Sequence, residues 1–250
     1  KHPTWDILDS SKLTCYMECP RKFFFRYLLG WHPDSQNNHL VFGSAWHLAI
    51  EHLYLTKMAP TAVEEATLKF LEYYRERLPE STDELFSPKT PLNAVLSIAD
   101  YVNKYKRECQ TQEVLHTELG GVVLVSPSRT MVFKCDAIMR DEQGTVFGLD
   151  YKTSQRRYGD WGNHWILSTQ MLTYLHALKC LYPNQEDTKM VVRCAFFYKK
   201  DPTIFEDQPI AKTHAQMQAW LERTNQWIDR LEIDMSIMED EDNTDEIAMS

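Results

Sequence analysis

The sequence predicts an α/β fold: a central mixed β-sheet flanked by helices, with an N-terminal helical elaboration. Three observations point there. Apolar residues recur at helical spacing in the N-terminal part, as at Trp46, Ile50, Leu53 and Tyr54. Residues 113–152 switch to period-two and continuous β-branched patterning, enough for about three strands. A helical stretch over 163–181 then leads to a further strand at Met190–Tyr198. A hairpin followed by a strand–helix–strand crossover implies parallel and antiparallel neighbours in one sheet.

Each element has a local reason. Asp9-Ser10-Ser11 offers an N-cap to a short helix, Lys12–Met17. Cys19-Pro20 restarts the chain as a second helix, Arg21 to Leu29, with Pro in its first turn and Gly30 closing it. Gly43-Ser44 opens a third helix over 43–58. Helices follow at about 61–78 and 91–109, separated by the turn-rich segment from Pro79 to Pro88. Met131–Cys135 then leads to Asp136, Arg140–Gly144 makes a charged turn, and Thr145–Leu149 leads to Asp150. Tyr182-Pro183-Asn184 closes the helix over 163–181, and a last helix spans Thr213 to about Met235. The organisation expected is a helical region over 1–112, a core over 113–230 and an acidic tail over 231–250.

Bulk properties bound the function. A chain of 250 residues with 43% hydrophobic content suits one globular domain. It holds no run of eighteen apolar residues, so no membrane span is expected. Lys1–Asp6 lacks the apolar stretch of a signal peptide, and a chain opening without Met reads as part of a longer one. The six scattered cysteines read as reduced thiols, most of them buried, which suits the cytoplasm. Without a Cys-x-x-Cys pair they argue against a zinc ribbon. The net charge of −9 falls almost wholly on the eight acids of residues 231–250, which contain no Lys or Arg. The near-neutral remainder neither supports nor excludes a nucleic-acid partner.

The most informative feature is Asp150-Tyr151-Lys152. Residues i and i+2 of a strand share a face, so Asp150 and Lys152 project together. Asp136 lies fourteen residues earlier, on the adjoining arm of the hairpin. Two carboxylates converging with one ammonium suit a hard divalent cation and a polarised water, the requirement of phosphodiester hydrolysis. Gln170 and Tyr174 stand four apart on one helix face, and His47 lies one turn into a helix. Alone, each of these is an ordinary strand-end acid, surface pair or structural histidine. Together, and in order, they are informative.

The set Ser10-Ser11, Cys19-Pro20-Arg21-Lys22-Phe23, Gly43-x-x-x-His47, Asp136, Asp150-Tyr151-Lys152-Thr153-Ser154 and Gln170-x-x-x-Tyr174 resembles the PD-(D/E)XK nuclease superfamily, most of all its RecB-like and phage-exonuclease-like branch. The resemblance covers roughly residues 9–175. It implies a restriction-endonuclease-like core with Asp136 and Asp150 as ligands of Mg²⁺ or Mn²⁺, one ion or two. It adds the Tyr151 carbonyl and His47 as further ligands, and Glu118 where many members carry an acid. Lys152 would orient or help deprotonate the attacking water. Gln170 and Tyr174 would contact DNA or brace the site. Members with an iron–sulfur cluster use an early Cys and three clustered late ones. No such late triplet follows Cys19, so no cluster is expected and Cys19 should pack as a small apolar residue.

Basic and aromatic residues supply candidate DNA contacts: Lys12, Arg21, Lys22 and Arg26 early, then Arg156, Arg157, Tyr158 and Trp161 after the catalytic strand. That mixture suits single-stranded DNA or duplex ends. The implied activity is a metal-dependent exonuclease in recombination, repair or phage DNA processing, in the cytoplasm of a bacterium or phage-infected host cell. With no Gly-x-x-x-x-Gly-Lys-Ser/Thr sequence it would stand alone or serve a recombination or replication protein as a subunit. The alternatives are a structure-selective endonuclease and a non-catalytic DNA-binding or assembly module on the same fold. Another metal-dependent hydrolysis is a weaker alternative. Gly-x-Ser-x-Gly and His-Glu-x-x-His are both absent, which removes their competing hydrolytic chemistries.

Overall fold

A computed structural model describes residues 7–33 and 37–239. Five strands form one mixed sheet in the order β1-β2-β3-β4-β5. They are β1 (Glu113–Ser126), β2 (Arg129–Arg140), β3 (Val146–Ser154), β4 (Lys189–Phe196) and β5 (Ile204–Ile210). All neighbours are antiparallel except β3 and β4, which run parallel through a crossover containing α7 (Thr169–Leu181). The strand β5 is an addition to the expected set. Its residues Glu206, Asp207, Gln208 and Pro209 carry no apolar alternation, and its edge position accommodates a proline that cannot donate to the ladder.

The helices depart from expectation where capping decides. In α1 (Ser10–Glu18), the Lys12 N–H donates to Asp9 at 2.8 Å. In α2 (Pro20–Phe23), the Lys22 N–H donates to Cys19 Sγ at 3.4 Å, and one π-helical turn, Phe24–Leu28, follows. Cys19 is therefore an exposed cap and not the packed apolar residue expected. Helix α3 spans Asn38–Leu55, because Asn37 accepts the His39 N–H at 2.9 Å and starts the helix before Gly43. Helices α4 (Ala62–Arg75) and α5 (Pro91–Thr111) stand where the pattern puts them. The stretch 163–181 is two helices, α6 (Asn163–Ile166) and α7, parted where Ser168 takes an extended backbone. Helix α8 (His214–Glu239) runs through position 231, and Leu231 is buried near Tyr16. Residues 240–250 of the expected tail lie outside the described residues. Among the described residues no helix is long and apolar enough to cross a membrane.

Each sheet face carries its own core. On one face α3, α4 and α5 cover Ala137, Met139, Phe147, Leu149 and Tyr151. On the other, α1, α7 and α8 cover Val123, Met131, Phe133, Val146 and Val192. Alternation along β3 therefore puts Tyr151 under α3 and turns Asp150 and Lys152 toward the α7 side. Gly148 shares that side. A Cβ there would collide with Met190 Sδ and come 3.0 Å from Leu178 Cδ1, so its absence lets α7 close on the sheet.

Helix α3 is locked by interleaved rings. Trp46 meets Phe197 edge-on at 5.4 Å, and Phe42 meets the same ring at 4.9 Å. Truncating the fully buried Trp46 to Ala would cost about 3–5 kcal/mol. Its neighbour His47 is thereby held over the end of the β2–β3 ladder.

Candidate active site and metal centre

The pairing of β2 with β3 runs from Arg140–Val146 to Ala137–Leu149 and stops one step short of Asp136 and Asp150. There Asp136 Oδ2 accepts the Tyr151 N–H at 2.7 Å, so a side-chain carboxylate takes over from a main-chain acceptor. Across the other edge of β2, Thr117 pairs with Ala137 and Leu119 with Cys135, which stands Glu118 opposite Asp136. Glu118 has φ +50°, in the left-handed region that a non-glycine residue seldom adopts. The hairpin legible in the sequence thus opens where its acids lie.

His47 enters from α3. Its Nε2 is 2.6 Å from the Tyr151 carbonyl oxygen, and its Nδ1 is 3.5 Å from Asp136 Oδ1. A carbonyl only accepts, so Nε2 carries the proton and Nδ1 is the atom directed to the acids. His47, Glu118 and Asp136 each offer a ligand atom within 4.8 Å of the other two. Asp150, 1% exposed, is ion-paired through Oδ2 with Lys152 Nζ at 2.7 Å. The donor set is carboxylate oxygens and one imidazole nitrogen, with no thiolate, and it fits a hard divalent cation. The nearby Cys135 thiol donates to the Ala137 carbonyl.

Two expected ligands have other partners. The Tyr151 carbonyl is taken by His47, where it sets the tautomer of the imidazole. Glu118 is ion-paired with Lys134, so a cation must compete with that ammonium.

Burial and charge oppose one another throughout the cluster. Burial works against ionisation of Asp136, yet His47, the Tyr151 N–H and Lys152 together hold its carboxyl below the usual range. Asp150 is pushed up by burial and by the Asp136 charge, against the pull of Lys152. His47 and Lys152 are both raised despite burial, by the carboxylates they face. Two buried acids stay close only because cationic groups stand beside them.

The expected DNA contacts divide. Gln170 Nε2 donates to the Tyr174 hydroxyl at 2.9 Å, and Tyr174 is 6% exposed, packed near Phe133. Tyr174 is therefore buried against the sheet beside the acids. Lys12 is buried, with its ammonium donating to the Ile7 carbonyl. Arg157 is held by Glu206 on β5 at 2.7 Å, and Lys22 pairs with Glu18 at 3.2 Å on an exposed face. Arg21 and Arg156 are exposed, Tyr158 is 61% exposed, and Trp161 is half-buried.

Residues absent from the sequence reading also line the site. Lys152 Nζ stands 5.5 Å from the Trp165 ring centroid. Lys89, 3% exposed, donates to the Thr153 carbonyl at 3.0 Å and hydroxyl at 2.8 Å. Trp165 had a signal in the aromatic density of Trp161-Gly162-Asn163-His164-Trp165. Lys89 had none, since it directly follows the turn-rich segment, far from the motifs.

Comparisons with known proteins bear on this geometry. The family model of the PD-(D/E)XK nuclease superfamily matches residues 10–244. A crystal structure from Eubacterium rectale, of a protein provisionally named an exonuclease, superposes with a TM-score of 0.52 at 12% identity, over 91% of this chain and 80% of that one. At that identity the likeness shows the fold alone, a restriction-endonuclease-like mixed sheet flanked by helices. The crystal structure of SSO0001 matches at a TM-score of 0.32 and 15% identity, over 84% of this chain and 85% of that one, and carries no argument. A comparison with curated proteins found no match.

Proposed function

The chain belongs to the PD-(D/E)XK nuclease superfamily, and from that premise we propose that it is a Mg²⁺- or Mn²⁺-dependent deoxyribonuclease that works from DNA ends. The observation that carries this reading is the convergence of Asp136, Asp150, Lys152 and His47 where the β2–β3 ladder opens. Asp136 and Asp150 would hold the cation, with His47 Nδ1 and Glu118 as further donors. Bound there, a divalent ion supplies charge for the phosphate and a water of lowered pKa.

The protein's own groups do the rest. The Tyr151 carbonyl orients the His47 ring, and the Tyr151 N–H orients the Asp136 carboxylate. Lys152, beside Asp150, is placed to donate to the attacking water or to a phosphate oxygen. The half-buried setting limits bulk water, which strengthens each of these contacts. The free cysteines, four of them buried, suit the cytoplasm of a bacterium or phage-infected cell.

Linear and covalently closed circular DNA incubated with Mn²⁺ test the reading. Degradation of the linear form with the circle intact is expected, and a cut circle would make the protein an endonuclease. Loss of cleavage in Lys152→Ala, with DNA binding kept, is also expected. An equal rate in that variant would show that chemistry occurs elsewhere.

A further inference from the structure

Beside Lys152 lies a cavity of about 520 Å³, without His47 in its lining, that the proposed chemistry leaves unused. Its walls include Lys152, Arg156, Trp161, His164, Trp165 and Phe196. We propose that it seats one unstacked nucleobase of a single-stranded DNA end, adjacent to the phosphate being cut. This rests on the nuclease reading above and names the form of its substrate.

Position comes first. Lys152 Nζ is 2.7 Å from Asp150 and 5.5 Å from the Trp165 centroid, so the catalytic ammonium is part of the cavity wall. The cavity therefore adjoins the ammonium that faces Asp150. The volume falls in the range of about 300–1,000 Å³ typical of small-ligand sites.

The lining is aromatic and held in place. Trp161 packs edge-on with Phe196 at 5.2 Å, and His164 packs edge-on with Trp165 at 5.0 Å. The loop carrying them is tied to β5 by Arg157 and Glu206 at 2.7 Å. Ordered rings bordering an open cavity suit a flat π-system, because stacking needs a face presented without reorganisation.

Charge selects among flat ligands. Arg156 and Lys152 provide cations at the same cavity, which suits a base joined to phosphates better than an apolar side chain of a protein. Asp160, also in the lining, disfavours a free polyanion lying across the whole opening. Bases within a duplex are stacked on their neighbours, so only an unpaired end or a single strand can offer a base face.

The test uses the native chain in EDTA, where binding is separated from cleavage. Fluorescent single-stranded oligonucleotides carrying one abasic position are compared with the intact strand and with a blunt duplex. One abasic position is expected to weaken binding about tenfold or more. Trp165→Ala and Trp161→Ala should weaken the intact strand similarly, leave the duplex within about twofold, and abolish the effect of that abasic position, whereas Trp165→Phe should retain most affinity. An abasic scan that is flat in the native chain overturns the proposal whatever the variants do. Equal losses on strand and duplex overturn it as well. Neither result bears on the nuclease reading, which stands or falls on cleavage by Lys152→Ala.

Discussion

His47 Nε2 donates to the main-chain carbonyl of Tyr151 across 2.6 Å, joining helix α3 to strand β3 over 104 positions of sequence. The bond ties the imidazole to the backbone between Asp150 and Lys152, so helix α3 is fastened to the strand that carries Asp150. His47→Ala should weaken the Mn²⁺ concentration dependence of cleavage by about 10–100-fold. His47→Gln keeps a donor for the carbonyl and should retain more activity than Ala. Indistinguishable metal dependence in all three proteins would remove His47 from the centre.

Metal binding should also register as stability. Ions that bind only the folded chain raise its stability by mass action, about 2.7 kcal/mol at a hundredfold excess over Kd. Addition of Mn²⁺ is expected to raise Tm of the native protein, and EDTA to reverse it. Asp150→Asn and Asp136→Asn should lose most of that rise together with cleavage. A full rise in both variants would place the ion elsewhere.

Tyr174 separates bracing from DNA contact. Tyr174→Phe removes the hydroxyl that Gln170 donates to and should lower stability by about 1 kcal/mol. Because the ring is buried, the Kd for DNA in EDTA should not change. A weakened Kd without a change in Tm would make it a contact after all.

Lys89 should leave a mark on the pH dependence of stability. Burial pushes its ammonium down to about 8. Below that pH the folded chain carries a desolvated charge that the unfolded chain carries in water. Between pH 8 and about 10.5 the unfolded chain binds more protons, so this group makes stability rise with pH, on the order of 3 kcal/mol in full. The unfolding free energy of the native protein minus that of Lys89→Met should therefore rise from pH 8 to pH 10, measured by urea titration. A constant difference would mean that the ammonium is not desolvated.

Arg193 is the main polar tie between β4, α5 and β5. It is 3% exposed and pairs with Asp207 at 2.7 Å and Glu108 at 2.8 Å, with its guanidinium 3.7 Å from the Tyr105 ring centroid. Arg193→Met leaves two carboxylates without their cation and should cost about 3 kcal/mol, the low end for a broken buried pair because both acids keep some solvent. A loss under about 1 kcal/mol would show that solvent already screens the pair.

Local chemistry made most of the architecture legible in the amino-acid order. The period-two strands around Asp136 and Asp150, the short turn between them and the helical spacing of Trp46 and Ile50 need only near neighbours to be read. The hairpin that carries Asp136 and Asp150 is legible from its turn and strand pattern, and His47 is singled out by its place in a motif. Long-range partners decided the remainder. Strand β5 becomes a strand because β4 offers it a ladder, and Arg157 meets Glu206 only once β5 is in place. Tyr174 turns inward because α7 packs on the sheet, Glu118 meets Lys134 only across paired strands, and Trp165 reaches Lys152 only once α6 and β3 are docked. Periodicity and motifs record what a segment does by itself, whereas burial and ion pairing belong to contacts between segments and exist only when the chain has closed on itself.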